Sequence, residues 1–577
     1  MPRLTFFFTL ATLVAMDPLN EIASNQRVNA AGYDRPVGDP QQSRSVTLSK
    51  HGMVATSHPA AVQVGLDVLK SGGNAADAAI AVNAMLGVVE PMSCGIGGDV
   101  FVIYWNAKTK KLYGLNGSGR SPYKLNREVF KEQGLESIPI EGPLAWSVPG
   151  CVDGWDQVRK RFGTKNFDEL LAPAITTADE GFPVAEVIAG YWKGAEASLA
   201  KHEDSAKTYL IDGRAPRFGE IYRNPQLAES YRQIAAGGAK AFYQGDIAEA
   251  IVSYSQQHGG YFTMKDFADH QSTWVEPVST NYRGYDVWEL PPNGQGIAAL
   301  QMLNLIEPYD VREMGPGSAD WLHLFVEAKK LAFADRAKFY ADPDFNKLPT
   351  SELISKEYAK GRQKLIDMQH AADDVPAGDP KLAHGDTVYL TVVDRDRNCC
   401  SMIQSIYYGF GSKVVPGEVG FAMQNRGALF SLDPEHLNTL EPHKRPFHTI
   451  IPAMVTKDDQ PYFCFGVMGG DMQPQGHVQV LVNLIDFGIN VQQAGDAARV
   501  RHIGSASPTG EAASGVGIVH VESGISSETM QQLRERGHRV LRSKGSFGGY
   551  QGILIDHERG VLHGASEARK DGAAVGY

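Results

Sequence analysis

The feature that most constrains the fold is a pair of alternating segments joined by a short polar turn. TVYLTVVD covers residues 387–394, the turn DRDRN covers residues 394–398, and CCSMIQSIYY covers residues 399–408. Alternation in segments rich in Val, Ile, Tyr and Thr predicts strands, and the turn predicts that they pair as a hairpin. The chain is therefore expected to carry an antiparallel strand pair about two-thirds of the way along its length.

The register of this hairpin predicts which side chains meet. Pairing the two ends of the turn makes partner numbers sum to 792, which places Thr387 opposite Ser405. Cross-strand partners have Cβ atoms about 5 Å apart, so the two hydroxyls could share a hydrogen bond. A slip of one residue would place Gln404 or Ile406 there instead. Taken alone, a threonine at the start of a strand indicates only β-propensity.

Helical patterns alternate with the strand patterns. HPAAVQVGLDVLK and AADAAIAVNAMLGVV predict two helices, with Gly72 and Gly73 ending the first and Asn74 capping the second. DVFVIYW and KLYGLN read as strands, and HLFVEAKKLAFADRAKFY reads as an amphipathic helix. We find no repeat of fixed period and no low-complexity linker. These patterns predict that the helices and strands are interleaved in one unit.

Composition limits the classes of partner. The chain has 577 residues, of which 43% are hydrophobic and 21% charged, with a formal net charge of −11. This is an ordinary globular composition, and the length allows one large domain or up to about four small ones. An acidic surface repels nucleic acid and anionic membranes on average, so neither is an expected partner.

The N-terminus leaves two locations open. Residues 1–46 look like an extension, and residues 4–16 form an apolar run of about 13 residues behind Arg3 that fits a signal-peptide core. The run is too short for an ordinary membrane span. Met16 could equally be the true start. Export and a cytoplasmic location are therefore equal alternatives.

Several common signatures are missing from the sequence. It contains no G-x-S-x-G, no H-E-x-x-H, no P-loop and no complete G-x-G-x-x-G. CGIGGD at residues 94–99 comes nearest to a glycine fingerprint, and it favours a tight turn over a nucleotide site. Five cysteines without regular spacing indicate packing residues rather than a disulfide framework or a zinc site.

The longer motifs resemble a known family. HGMVATSHPAAVQVGLDVLKSGGNAADAAIA, PPNGQGIAALQMLNLIE, EAKKLAFADRAKFYADPDF, TVVDRDRN and VMGGDMQPQG are similar, in this order, to the gamma-glutamyltranspeptidase family of N-terminal nucleophile hydrolases. The resemblance implies an α+β fold, a four-layer αββα sandwich. It also implies that a precursor cuts itself between Asp386 and Thr387. The products would be a large subunit, residues 47–386, and a small subunit, residues 387–577, held together as a heterodimer.

The resemblance also implies catalytic roles. Thr387 would be the nucleophile, and its α-amino group, freed by the cut, would be its base. Gly469 and Gly470 match the pair whose N–H groups stabilise the oxyanion, although VMGGD alone would read as a turn. Ser405 matches the hydroxyl that steadies the nucleophile. Thr391 matches a further hydroxyl position, for which a structural role is an equal alternative.

Substrate recognition departs from the pattern of glutathione-cleaving members. An arginine for the glutamyl α-carboxylate is replaced by Ser118, and an aspartate for the α-amino group is replaced by Leu429. Further departures stand at Tyr407, His448 and Thr449. These changes resemble the acylase-like and oxamate-amidohydrolase-like branch of the family.

In that branch, Arg120, Arg426 and His448 are candidates to bind a differently placed carboxylate, with structural ion pairs as the alternative for each arginine. His436, His443 and His448 share one loop-rich segment but lack metal-ligand spacing. We expect neither a metal nor an organic cofactor.

The expected activity is cleavage of a γ-glutamyl or related acid-bearing amide through an acyl-Thr387 intermediate, with water or an amine or peptide as acceptor. One alternative is an acylase or oxamate-type amidohydrolase that does not act on glutathione. An alternative of another class is a processed but inactive binding protein.

Overall fold

The computed structural model describes residues 42–373, 385–505 and 507–577. The signal-like segment at residues 4–16 and most of the extension predicted for residues 1–46 lie outside these ranges. Among the described helices, none is both long enough and apolar enough to cross a membrane.

Strands and helices alternate along the described chain. The strands are β1 (Thr47–Ser49), β2 (Met53–Thr56), β3 (Asp99–Asn106), β4 (Lys111–Gly117), β5 (Phe182–Pro183), β6 (Ile221–Tyr222), β7 (Thr273–Val275), β8 (Val278–Tyr282), β9 (Tyr285–Glu289), β10 (Gly385–Val393), β11 (Cys399–Tyr408), β12 (Ala453–Lys457), β13 (Gln460–Met468), β14 (Val500–Ile503), β15 (Ile518–Val521), β16 (Val540–Arg542), β17 (Gly549–Asp556), β18 (Val561–Ser566) and β19 (Ala573–Gly576).

The helices are α1 (Pro59–Lys70), α2 (Ala75–Val89), α3 (Arg127–Glu132), α4 (Cys151–Phe162), α5 (Phe167–Glu180), α6 (Glu186–Leu199), α7 (Glu203–Tyr209), α8 (Pro225–Gly237), α9 (Ala239–Gln244), α10 (Asp246–Gln257), α11 (Met264–Ala268), α12 (Gly296–Ile306), α13 (Val311–Met314), α14 (Ala319–Phe339), α15 (Thr350–Leu353), α16 (Lys356–Gln363), α17 (Met472–Ile485), α18 (Val491–Asp496) and α19 (Ser527–Glu535). Short 3-10 helices cover Pro143–Ala145 and Arg426–Leu429.

Two large antiparallel sheets form the centre of the molecule. Within the described ranges, the first has seven strands in the order β1-β18-β17-β13-β12-β9-β8. The second also has seven, in the order β19-β2-β10-β11-β3-β4-β7. The helices of the outer layers are α1 and α2 against the second sheet, and α12 and α17 against the first. This arrangement is the expected αββα sandwich.

Alternation along β10 decides which face each residue takes. Val388 and Leu390 pack with the helices that cover the second sheet, whereas Tyr389 and Val393 belong to the core between the two sheets. Because successive side chains point to opposite faces, Thr387 shares the inter-sheet face with Tyr389. The strand pattern therefore places the predicted nucleophile between the two layers.

The predicted register of the hairpin is confirmed along most of its length. Cα partners run from Val393–Cys399 to Val388–Gln404, and each pair sums to the expected number. A β-bulge follows, because the next pair is Asp386–Tyr407. Thr387 therefore faces both Ser405 and Ile406. Bulges re-aim side chains at functional sites, and this one surrounds the peptide bond at which the cut is predicted.

The helix pair after His58 matches its prediction. Asn74 caps α2 by accepting from the N–H groups of Ala76 and Asp77, and the Asp77 carboxylate accepts from Asn74 in return. Gly72 takes a φ of 91°, in the region that favours glycine. The carboxylate of Asp394, in the hairpin turn, accepts from the N–H of Ala75 at 3.0 Å. This bond joins the end of β10 to the start of α2.

Two smaller predictions are also confirmed. All five cysteines are unbonded to one another and buried, as packing residues would be. The glycine-rich segment between Cys94 and Asp99 forms a tight turn, in which the Gly98 N–H donates to the Gly95 carbonyl at 3.0 Å.

Candidate active site

Two hydroxyls meet at the open end of the hairpin. The Thr387 hydroxyl donates to Ser405 Oγ across 3.4 Å, and Ser405 Oγ also accepts from the N–H of Tyr407 at 2.8 Å. Thr387 is 1% exposed and Ser405 is fully buried. The contact predicted from the register is present, as a long hydrogen bond between the two hydroxyls.

Gly469 and Gly470 form a sharp connection between β13 and α17, with φ angles of 116° and 57°. Their carbonyls accept from the N–H groups of Met472 at 3.0 Å and Gln473 at 3.1 Å, at the start of α17. Their own N–H groups donate to no acceptor in the part of the chain that the structure describes. Two adjacent N–H groups that donate to no protein acceptor, beside a helix N-terminus, are suited to stabilise a developing negative charge.

The packing of β10 on β13 brings this connection level with Thr387. Cys464 lies beside Thr391, and a Cβ added at Gly466 would lie 2.5 Å from the ring of Tyr389. The two strands, which belong to different sheets, therefore run in opposite directions where they pack. Two residues further along each strand, Thr387 is level with the end of β13. Thr391 lies deeper between the sheets, beside Cys464.

A buried arginine lies next to these groups. Arg426 Nη1 donates to Thr449 Oγ1 at 2.6 Å, and the guanidinium lies 4.8 Å from the centre of the Tyr407 ring. Its Nε and Nη2 atoms have no hydrogen-bond partner among the described residues. Burial lowers the pKa of Arg426 to about 10, so the group stays charged at neutral pH. Two unused donors on a buried guanidinium match the geometry of a carboxylate.

His448 lies in the same region but is engaged by Asp99. Its Nε2 is 3.1 Å from the Asp99 carboxylate, and its Nδ1 accepts from the N–H of Ile450 at 3.3 Å. Burial, assisted by the charge of Arg426, lowers the pKa of His448 to about 4. The imidazole is therefore neutral at neutral pH and donates its proton to Asp99, which also accepts from Gln424 at 2.8 Å.

We predict that acid destabilises the fold through His448. Between its ordinary pKa of 6.5 and about 4, the unfolded chain binds a proton at this residue that the folded chain does not. Stability therefore falls as pH decreases through that window, by about 1.4 kcal/mol per pH unit for this group. Thermal unfolding at about pH 7 and 5 should show a smaller loss for His448→Gln than for the unmodified protein. Equal losses would contradict this prediction.

The Tyr407 ring that Arg426 contacts belongs to a hydrophobic cluster. Tyr407, Leu429 and Phe447 are all buried and belong to one hydrophobic cluster. Ser118 is also buried, and its hydroxyl accepts from the amide of Asn293 at 3.0 Å. The positions where glutathione-cleaving members were expected to carry ionic groups thus contribute packing or neutral hydrogen bonds here.

Arg120 lies outside this cluster. It pairs with Asp342 at 3.2 Å and with Asp344, and it donates to the His443 carbonyl at 3.1 Å. Arg445 shares Asp344. The structure therefore contains the structural ion pair that was the alternative for Arg120. Arg426 is instead the arginine that contacts Tyr407, whose N–H donates to Ser405.

Sequence reasoning missed three groups beside the Gly469–Gly470 connection. Gln295 bonds the Gly470 carbonyl, Arg336 bonds Gln295, and Asp471 pairs with Arg336. All three stand in motifs that carried the resemblance, but no spacing rule indicated their mutual contact.

One group of side chains has the composition of a metal site. Among described residues, His323, Glu327 and His538 place possible ligand atoms within 4.8 Å of one another. The histidines bond each other at 2.8 Å, and Glu327 pairs with Lys330 at 2.8 Å. These donors are already used within the protein. The three histidines of the loop-rich segment are separated, since His443 stacks on Tyr123 and His448 binds Asp99.

Comparison with known proteins gives a consistent result. A family model described as gamma-glutamyltranspeptidase matches residues 61–577. The Glutathione hydrolase-like YwrD proenzyme of Bacillus subtilis (strain 168) is 40% identical over 530 residues, which cover 91% of this chain and 98% of that protein. The Oxamate amidohydrolase proenzyme of Klebsiella pneumoniae is 33% identical and covers 92% of this chain and 100% of its own length.

A solved structure extends the likeness to three dimensions. The crystal structure of cephalosporin acylase from Bacillus halodurans superposes with a TM-score of 0.86 at 43% identity, covering 94% of this chain and 99% of that one. Likeness over nearly the whole length confirms the sandwich fold of the N-terminal nucleophile hydrolase type.

Proposed function

Because this chain belongs to the gamma-glutamyltranspeptidase family, we propose that it is a self-processing amidohydrolase whose nucleophile is Thr387. Support comes from the hydroxyl held by Ser405 and from the two undonated N–H groups of Gly469 and Gly470 at the same level. Both relatives are proenzymes, which is consistent with processing of this chain.

Self-cleavage would begin with attack of the Thr387 hydroxyl on the carbonyl of Asp386. The peptide bond between them breaks, an ester forms, and the threonine nitrogen takes the proton and becomes an amine. Water then hydrolyses the ester, which releases the Asp386 carboxylate and restores the hydroxyl. The new amine, with a pKa of about 7.7–8.0, can accept the proton of that hydroxyl at neutral pH.

Substrate cleavage would repeat the same chemistry on an external amide. The Thr387 oxygen attacks the substrate carbonyl while its α-amine takes the proton, and the N–H groups of Gly469 and Gly470 stabilise the oxyanion. The proton passes to the departing nitrogen as the C–N bond breaks. Water, or an amine acceptor, then attacks the acyl ester and frees Thr387.

We infer that the acyl group carries a carboxylate and lacks an α-amino group. The observation that carries this inference is Arg426, a fully buried cation with two donor atoms that no described residue accepts. A carboxylate would accept both with charge-assisted hydrogen bonds. An ammonium would find no comparable partner, because Leu429 is apolar and Asp99 already accepts from Gln424 and lies 3.1 Å from His448 Nε2.

Three matched amides with one leaving group test this proposal. Glutaryl, γ-glutamyl and butyryl amides differ only in the carboxylate and the α-amine. We expect kcat/KM for the glutaryl amide to exceed that of the γ-glutamyl amide by about 10-fold, and that of the butyryl amide by about 100-fold. An oxamate-type amide added to the panel measures how short the acyl group can be.

Other outcomes would overturn the proposal. Preference for the γ-glutamyl amide would show that the site does bind an ammonium. Binding of one amide without turnover of any would favour the processed but inactive binding protein.

A further inference from the structure

One buried glutamine touches both halves of the site. Gln295 is fully buried, and its Nε2 donates to the Thr449 carbonyl at 2.7 Å and to the Gly470 carbonyl at 2.9 Å. Thr449 is the residue whose hydroxyl binds Arg426. A single amide group therefore joins the segment that contacts the buried arginine to the connection that carries the undonated N–H groups.

The other end of Gln295 is fixed by Arg336. Arg336 Nη1 donates to Gln295 Oε1 at 2.7 Å and to Asp471 Oδ1 at 2.6 Å, and its Nη2 lies 3.3 Å from Asp471 Oδ2. The guanidinium is 3.8 Å from the ring centre of Phe333. Arg336 thereby neutralises a carboxylate that directly follows Gly470, where a free negative charge would oppose an oxyanion.

The conformation of the two glycines explains why the hydrogen bond from Gln295 matters. Gly469 and Gly470 both have positive φ and no side chain, so their own preferences do not define the direction of their N–H groups. The Gly470 carbonyl is held by the N–H of Gln473 at 3.1 Å and by Gln295. Without Gln295, one of these two restraints is lost, and the carbonyl of Thr449 loses a donor as well.

We propose that Gln295 is a positioning residue that sets the Gly469–Gly470 N–H groups relative to the carboxylate subsite at Arg426. This inference rests on the proposed function and deepens it. Gln295 touches neither the nucleophile nor the substrate in this arrangement. Through Gly470 it acts on the stabilisation of the transition state. Through Thr449 it acts on the distance between the N–H groups and the carboxylate subsite.

Gln295→Met tests this role, because methionine keeps the volume and removes the amide. A displacement of about 1 Å at such a donor costs about 100-fold in rate. We expect kcat on the glutaryl amide to fall about 10- to 100-fold, with KM within about 3-fold of the unmodified protein. A carboxylate-bearing alkylboronic acid, which forms a tetrahedral adduct with a hydroxyl, should lose affinity in step with kcat, whereas free glutarate should not.

Gln301→Met is the matched control. Gln301 is a buried glutamine on α12, and its amide binds Asp335 at 2.8 Å, away from the glycines. Its substitution should leave kcat and boronate affinity within about 3-fold. Gln295→Glu is a second test, since it keeps an acceptor for Arg336 but, when ionised, donates to neither carbonyl. It should show the same fall in kcat.

The outcomes separate the two proposals. An unmodified protein that cleaves no amide overturns the proposed function and this inference with it. An active unmodified protein with unchanged kcat in Gln295→Met overturns only the inference. An equal rise in KM and fall in kcat, or two variants that fail to fold while Gln301→Met folds, would assign Gln295 a purely structural role and also overturn it.

Discussion

Thr387→Ala will remain one chain and will hydrolyse no amide. In the proposed mechanism this hydroxyl attacks the Asp386 carbonyl, and without it neither the ester nor the new amine can form. The unmodified protein, 62.7 kDa as one chain, should give fragments of about 42 and 21 kDa when that mass is prorated by length. Intact mass of freshly purified protein measures this directly, and Thr387 should be the first residue of the smaller fragment.

Two variants on the same strand control for this result. Thr387→Ser keeps a hydroxyl and should still cleave, more slowly. Thr391→Ala removes a hydroxyl from the same face of β10, deeper between the sheets, and should cleave at the normal rate. Appearance of the same two fragments from Thr387→Ala would exclude Thr387 as the attacking group, and a stable single chain in the unmodified protein would favour the inactive binding protein.

Arg426→Met will lower kcat/KM on the glutaryl amide by about 100-fold or more. Removing one member of a buried, hydrogen-bonded charge pair costs about 2–5 kcal/mol in binding. The loss should be confined to substrates that carry the carboxylate, so hydrolysis of the butyryl amide should be unchanged or faster. Steady-state kinetics on the two amides measures the ratio, and intact mass confirms that the variant is still processed.

Arg120→Met is the informative comparison. Its partners are Asp342 and Asp344, so its loss should lower stability without changing the preference for the glutaryl over the butyryl amide. If Arg120→Met abolished that preference and Arg426→Met did not, the carboxylate subsite would lie at Arg120, and the assignment to Arg426 would be wrong.

The strands and their register were predictable because local rules decide them. Alternation and a short turn determine the pairing of β10 with β11, and a capping residue with two glycines determines the junction of α1 and α2. The bulge at Thr387 was not predictable, because no local pattern in either strand indicates it. The α+β sandwich and the family came from the resemblance rather than from these rules.

The candidate site was predictable only in part, because some of its contacts join residues that are distant in sequence. Thr387, Ser405 and the two glycines stand in recognisable motifs. The network around Gln295 joins residues 41 and 175 positions apart in the chain. Local pattern carries no information on such contacts. Arg120 shows the same limit, since its partner Asp342 is 222 positions away.

The order of strands in the two sheets has a kinetic consequence. In the second sheet, β2 lies between β19 and β10, and in the first sheet β1 pairs with β18, so both sheets combine strands from before and after Thr387. A cut at the proposed bond would leave the folded molecule intact. Once unfolded, however, the two pieces would have to find each other by diffusion. Refolding would change from a first-order reaction of one chain to a second-order reaction of two, and dilution would slow it. The processed enzyme would therefore rely on the slowness of its unfolding rather than on repeated refolding.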